Sequence, residues 1–159
     1  IGFQTEFRTM TSGLGLLFHV FDHYAPVSER EIASRQNGVM ISNGQGTVLG
    51  YSLFNLQERG KLMCAHGDEV YEGQVIGIHS RENDLVVNPL KGKKLTNMRA
   101  AGKDENIVLT TPIRYTLEQA MEFIEDDELV EITPTSIRIR KRALKELDRK
   151  RSGRVAESE

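Results

Sequence analysis

The sequence has one cysteine, Cys64, no tryptophan and four prolines in 159 residues. A single thiol excludes an intrachain disulfide and any CxxC or cysteine-rich zinc site. No run of about 18 apolar residues exists, so no membrane span is expected. No basic-then-apolar leader is visible at the start, and a reducing, cytoplasmic compartment is the expectation. Aromatic residues make up 6% and hydrophobic residues 38% of the chain. That is little for a tightly packed enzyme, yet enough to exclude wholesale disorder. The GxxxxGK[ST] pattern of a P-loop is missing, so the chain carries no nucleotide-phosphate cradle of that kind. A chain of this length buries roughly 68–70% of its unfolded surface and needs no metal to hold a core.

The first residue is Ile1, and the chain opens directly into helix-like sequence, which predicts a piece of a longer protein. The formal charge is only -2, with a pI near 6.1, but the charge is unevenly spread. Residues 1–80 carry five bases against eight acids, and residues 81–159 sixteen against fifteen. Leu90 to Lys103 holds five bases and no acid, Glu118 to Glu131 seven acids and no base. Arg138 to Arg154 holds nine bases against two acids, net +7. Two basic blocks therefore flank an acidic helix.

Phe3, Phe7 and Met10 predict a helix over 1–12, ended by Gly13. Gly15 to Tyr24 reads as a strand, which with that helix is half of a split β-α-β unit. From Glu29 on, the pattern is mostly β. Val39–Ile41, Asn43-Gly44 and Thr47–Leu49 predict a hairpin. A short helix over 51–57 and strands over 61–65, 69–79 and 84–87 follow. Asn88 to Asn106 has no apolar period and reads as a long loop, expected to be mobile off a partner. Ile107 to Thr110 reads as a strand. Thr116-Leu117-Glu118-Gln119 is a capping box opening a helix to Glu125. Strands over 129–132 and 136–140 and a helix over 143–151 complete the chain, with 152–159 frayed. In the second of those strands, Ile137 and Ile139 are expected inward, Arg138 and Arg140 outward.

Few of these residues suggest catalysis. Gly44, Gly46 and Gly50 are out of register with a dinucleotide fingerprint, and a hairpin turn explains them. Gly67 to Gln74 resembles a biotinyl or lipoyl turn but lacks the lysine those domains modify. His19 and His23 lie four apart in a predicted strand, where surface or packing roles outweigh metal binding. Cys64 has no activating neighbour and is expected to be an inert buried thiol. The acidic run Glu125–Glu128 sits at the unfavourable end of a helix dipole, so a solvated turn or a cationic neighbour such as the Arg138–Arg142 strand is expected to offset it. Two segments remain. The loop offers Lys91, Lys93, Lys94, Arg99 and Lys103 with Asn97, cations and amides without aromatics. That mixture suits phosphate and sugar contacts more than base stacking, against the alternative of a solvated loop. The second is the strand bearing Arg138, Arg140, Lys141 and Arg142.

Asn88-Pro89-Leu90-Lys91-Gly92-Lys93-Lys94-Leu95-Thr96-Asn97-Met98-Arg99, Thr116 to Ala120 and Thr133 to Arg142 resemble the C-terminal domain of the TypA/BipA translational GTPases. Arg8 to Gly15 resembles the end of the domain V that this family shares with elongation factor G. The resemblance implies an α+β fold: residues 1–27 as the end of domain V, a β-rich mixed domain over 28–150 with one capped helix, and a tail over 151–159. It implies a non-catalytic module, with GTP and magnesium held by an upstream domain and no cofactor or metal here. The implied partners are the ribosome, 23S-type ribosomal RNA and the A-site tRNA near the peptidyl-transferase centre. The implied role is large-subunit assembly and translation under stress or cold, with no membrane contact. Lys91, Lys93, Lys94, Asn97, Arg99, Lys103, Arg138, Arg140, Lys141 and Arg142 become its RNA-binding candidates. The alternative is a protein-interaction or structural domain whose basic loop is incidental.

Overall fold

The computed structural model describes residues 3–26, 35–92 and 108–156. The fold is mixed α+β. Helix α1 spans Phe3–Met10. It ends as expected, with the Gly13 amide donating to the Arg8 carbonyl at 2.7 Å and Gly13 at φ +84°. Gly15 to Tyr24, expected as a strand, forms no ladder among the described residues, and Leu14, Phe18 and Val20 stay exposed. A strand exists only by pairing, and alternation alone does not supply a partner.

The main sheet has four strands in the order β3-β5-β1-β6: β1 Val39–Ser42, β3 Gly60–Leu62, β5 Val75–His79 and β6 Leu85–Val87. The Asn43-Gly44 hairpin does not form. Strand β1 is central, antiparallel to β5 on one edge and parallel to β6 on the other, so the return strand has no free edge. Strand β2, Gly46–Thr47, crosses instead to pair with β4, Glu69–Val70. Gly46 sits at φ +151°, in the region that favours glycine. Helix α2, Gly50–Leu56, packs Leu53 and Leu56 against one face of this assembly with Met40, Val48, Leu62 and Ile76.

The other face carries Val39, Ile41 and Val75, covered by helix α3, Leu117–Phe123, and a β7–β8 hairpin, Glu128–Ile132 and Ile137–Lys141. Ala120 and Ile139 close this second core. The capping box of α3 is present: the Gln119 amide donates to Thr116 Oγ1 at 3.3 Å, and the Thr116 amide donates to Gln119 Oε1 at 3.0 Å. Residues 108–110 form no strand. Helix α4, Glu146–Ala156, runs past the expected end at 151. The stretch leading into it rests on Gly73, at φ +86°, where any Cβ would meet Leu144 Cα at 2.7 Å. Among the described residues no helix is long and apolar enough to cross a membrane.

Candidate nucleic-acid interface

The ten candidate residues fall into four groups. Lys93, Lys94, Asn97, Arg99 and Lys103 lie outside the described residues, as does most of the loop expected at 88–106. Its first residues are anchored. The Ser52 hydroxyl donates to the Asn88 carbonyl at 2.6 Å, the Leu90 amide to Asn88 Oδ1 at 2.9 Å, and the Leu49 amide to the Pro89 carbonyl at 3.0 Å. Lys91 follows this anchor and is exposed.

Arg138 and Arg140 point away from the core as the period of two demands, but they are not bare. Both flank Glu131 on the neighbouring strand, at 3.2 Å for Arg138 and 3.9 Å for Arg140. The Tyr71 hydroxyl donates to the same carboxylate at 2.5 Å. That hydrogen bond, helped by Arg138 and Arg140, holds the Glu131 carboxyl below its ordinary range. Burial and the Glu131 carboxylate together push the Tyr71 phenol up.

Lys141 is turned the other way. The alternation that puts Ile139 inside also puts Lys141 inside, and it is only 2% exposed. Its Nζ lies 2.6 Å from Asp84, 2.9 Å from Asp127 and 3.0 Å from Glu128. Burial works against the charge, but the Asp84, Asp127 and Glu128 carboxylates outweigh it and hold the ammonium above the ordinary lysine value. This side chain is an internal ionic anchor, out of reach of a surface ligand. Arg142, one residue on, is exposed, as are Lys145, Lys150 and Arg151 on the way into and along α4.

The anchor has a second cation that sequence reasoning missed. Arg35 forks onto Glu128 with bonds of 2.8 and 2.9 Å, reaches Glu125 at 3.3 Å and stacks 4.5 Å above the Phe123 ring. Glu128 is thus held between Arg35 and Lys141. Glu125, Asp127 and Glu128 converge closely enough to suggest a metal site. Arg35 and Lys141 pair with these carboxylates and offset their charge. The acidic run is a wired corner rather than a solvated turn. Its legible signal was phase: Glu128 falls in step with Val130, as Lys141 does with Ile139.

Among the described residues, the other titratable groups offer no catalytic set. Cys64 is buried, and burial, with Asp68 nearby, pushes its thiol up to about 12. His19 and His23 are exposed, while His66 and His79 are engaged with backbone groups. Asp68 accepts from the Ala65 amide and the Arg114 guanidinium, a plain turn with Gly67 at φ +89°.

The geometry defines an α+β domain that displays Lys91 on its surface and a run of exposed cations from Arg142 into its terminal helix. The family model of the TypA/BipA C-terminal domain matches residues 37–146, and the chain belongs to that family. It is similar to the large ribosomal subunit assembly factor BipA of Escherichia coli, 67% identical over 155 residues, which cover 98% of this chain and 26% of that protein. The protein of the same name in Haemophilus influenzae is 65% identical over 158 residues, 99% of this chain and 26% of its own. That of Buchnera aphidicola is 60% identical over 154 residues, 97% of this chain and 25% of its own. The chain spans about a quarter of the length of the curated relatives it matches.

Proposed function

We propose that this chain is a ribosome-binding module acting in assembly of the large ribosomal subunit. It reaches ribosomal RNA and the A-site tRNA through phosphate contacts, in the cytoplasm, and serves translation under stress or cold. The observation that carries the proposal is the 60–67% identity to proteins named large ribosomal subunit assembly factors. Exposed Lys91 at the root of the basic loop, and exposed Arg142, Lys145, Lys150 and Arg151, suit a polyanion. Arg138 and Arg140 contribute less, because Glu131 already offsets part of their charge. Lys141 leaves the set of contact residues. GTP hydrolysis belongs, in this proposal, to a part of the protein upstream of the 159 residues, where GTP and magnesium would be held.

Co-sedimentation with purified ribosomal subunits tests the proposal. The parent chain pellets with large subunits in preference to small ones, and Lys91→Glu with Arg142→Glu loses that preference while keeping its melting temperature. Equal partition between the subunits, or full binding by the double variant, would contradict it.

A further inference from the structure

We infer that Glu131 is a built-in restraint on RNA binding: its carboxylate occupies, between Arg138, Arg140 and the Tyr71 hydroxyl, the place an RNA phosphate would take. The inference rests on the proposed phosphate contacts and names a residue that limits them.

The outer face of the β7–β8 hairpin is a basic row. The alternation that buries Ile139 and Lys141 turns Arg138, Arg140 and Arg142 outward together. The Arg142 amide still donates to the Asp127 carbonyl at 2.7 Å, so the row continues one step past the end of β8. Neighbours in the row are two residues apart, roughly 6.8 Å along a strand. A row of this kind can track the backbone of a nucleic-acid strand.

Strand β7 and the turn before it supply what faces the row. Arg140 lies opposite Leu129, which is neutral. Asp127, beside Arg142, has both carboxylate oxygens engaged by Lys141 Nζ, at 2.9 and 3.0 Å. Among the described residues, Glu131, opposite Arg138, is the one carboxylate that pairs with the row.

Three donors converge on that carboxylate. Arg138 Nη1 donates to Oε1 at 3.2 Å, Arg140 Nε lies 3.9 Å from Oε2, and the Tyr71 hydroxyl donates to Oε2 at 2.5 Å. Two guanidiniums and a hydroxyl around one oxyanion are a donor set that a phosphate also takes. Tyr71 belongs to the β4–β5 turn, so two separate elements hold the set in place. It is open to a ligand, since Arg138, Arg140 and Glu131 keep 32%, 29% and 33% of their side-chain surface exposed. A guanidinium has five N–H donors. Arg138 spends Nη1 on Glu131, and Arg140 spends Nη1 on the Lys141 carbonyl at 3.4 Å.

Glu131 opposes a phosphate in two ways. It fills the point where the donors meet, and its charge repels an arriving anion. The consequence is selectivity. A bare row of three arginines would hold any polyanion. With one carboxylate inside the row, stray RNA is held less firmly, and Lys91 and the cations leading into α4 decide more of the outcome.

The test is the affinity of the intact chain for oligouridylate across a salt series, with melting temperatures read alongside. Oligouridylate offers phosphates without a fold, so it reads this face whether or not the chain prefers large subunits. Glu131→Gln keeps an acceptor for Tyr71 and removes the charge. It should bind about tenfold tighter than the parent at ~50 mM salt and steepen the slope of log affinity against log salt by roughly 0.7–1.4, equivalent to one or two added phosphates. Adding Arg138→Gln and Arg140→Gln to that variant should abolish the gain. Glu58→Gln, at an exposed acid outside this face, should leave the slope unchanged. An unchanged slope in Glu131→Gln, an equal gain in Glu58→Gln, or a gain that survives loss of both arginines would overturn the inference. A parent that partitions equally between ribosomal subunits, with the Glu131→Gln gain intact, would contradict the proposed function and uphold this restraint.

Discussion

Lys141 Nζ and Glu128 Oε1 lie 3.0 Å apart, and both side chains are buried. This pair ties the base of the hairpin to the sheet through Asp84 and to the segment leading into β1 through Arg35. Removing one partner of a buried pair strands the other, at a cost of about 3–5 kcal/mol. Lys141→Met should therefore lower stability by that amount in urea titration. Because the folded pKa of Lys141 is raised, its contribution is full below the ordinary lysine value of 10.5 and is lost as pH rises through the still higher folded value. The gap in stability between parent and Lys141→Met should hold steady at neutral pH and close in strong alkali.

Glu131 gives the opposite sign. Its folded pKa lies below the ordinary 4.5, so its contribution is present above that value and is lost as pH falls through the folded one. Tyr71→Phe removes the hydroxyl that does most to lower it. The change should cost about 1 kcal/mol near neutrality, discounted because Glu131 is a third exposed. Thermal melts of parent and variant should converge below about pH 4.

Hairpin packing is uneven along its length. Ile139, 3% exposed in the second core, should cost about 2–5 kcal/mol when cut to alanine. Ile137, at the exposed tip, should cost under about 1 kcal/mol. Equal losses in chemical denaturation would show that the tip is packed in solution.

Thr116 caps α3 through its hydroxyl, and the helix buries only Ala120 fully. Thr116→Ala should cost about 1 kcal/mol, read as a shift in the urea midpoint without a change of slope.

Local chemistry was legible along the chain. The Thr116 capping box, the Gly13 stop and the alternation through Ile139 are each written within a few residues and appear as expected. Non-local pairing was not. Asn43-Gly44 has the residues of a tight hairpin, yet β1 is claimed on both edges by strands more than thirty residues away. The cationic strand expected to offset the acidic run does so through Lys141, but the same limit hid Arg35 and Asp84, which come from separate stretches. Lys141 was readable in principle: its phase with Ile139 outweighs its membership of a basic run. Ile137 shows the converse, in phase with the core but beyond its rim.

The central claim is phosphate contact by the surface cations beside the loop. Affinity for large-subunit ribosomal RNA, measured across a salt series, tests it most directly. Each neutralised phosphate contributes a slope of roughly -0.7 to -0.9 in log affinity against log salt. Lys91→Ala, Lys93→Ala and Lys94→Ala together should flatten the parent slope by about two to three units. A slope unchanged by the triple substitution, in a chain that still folds, would contradict the account.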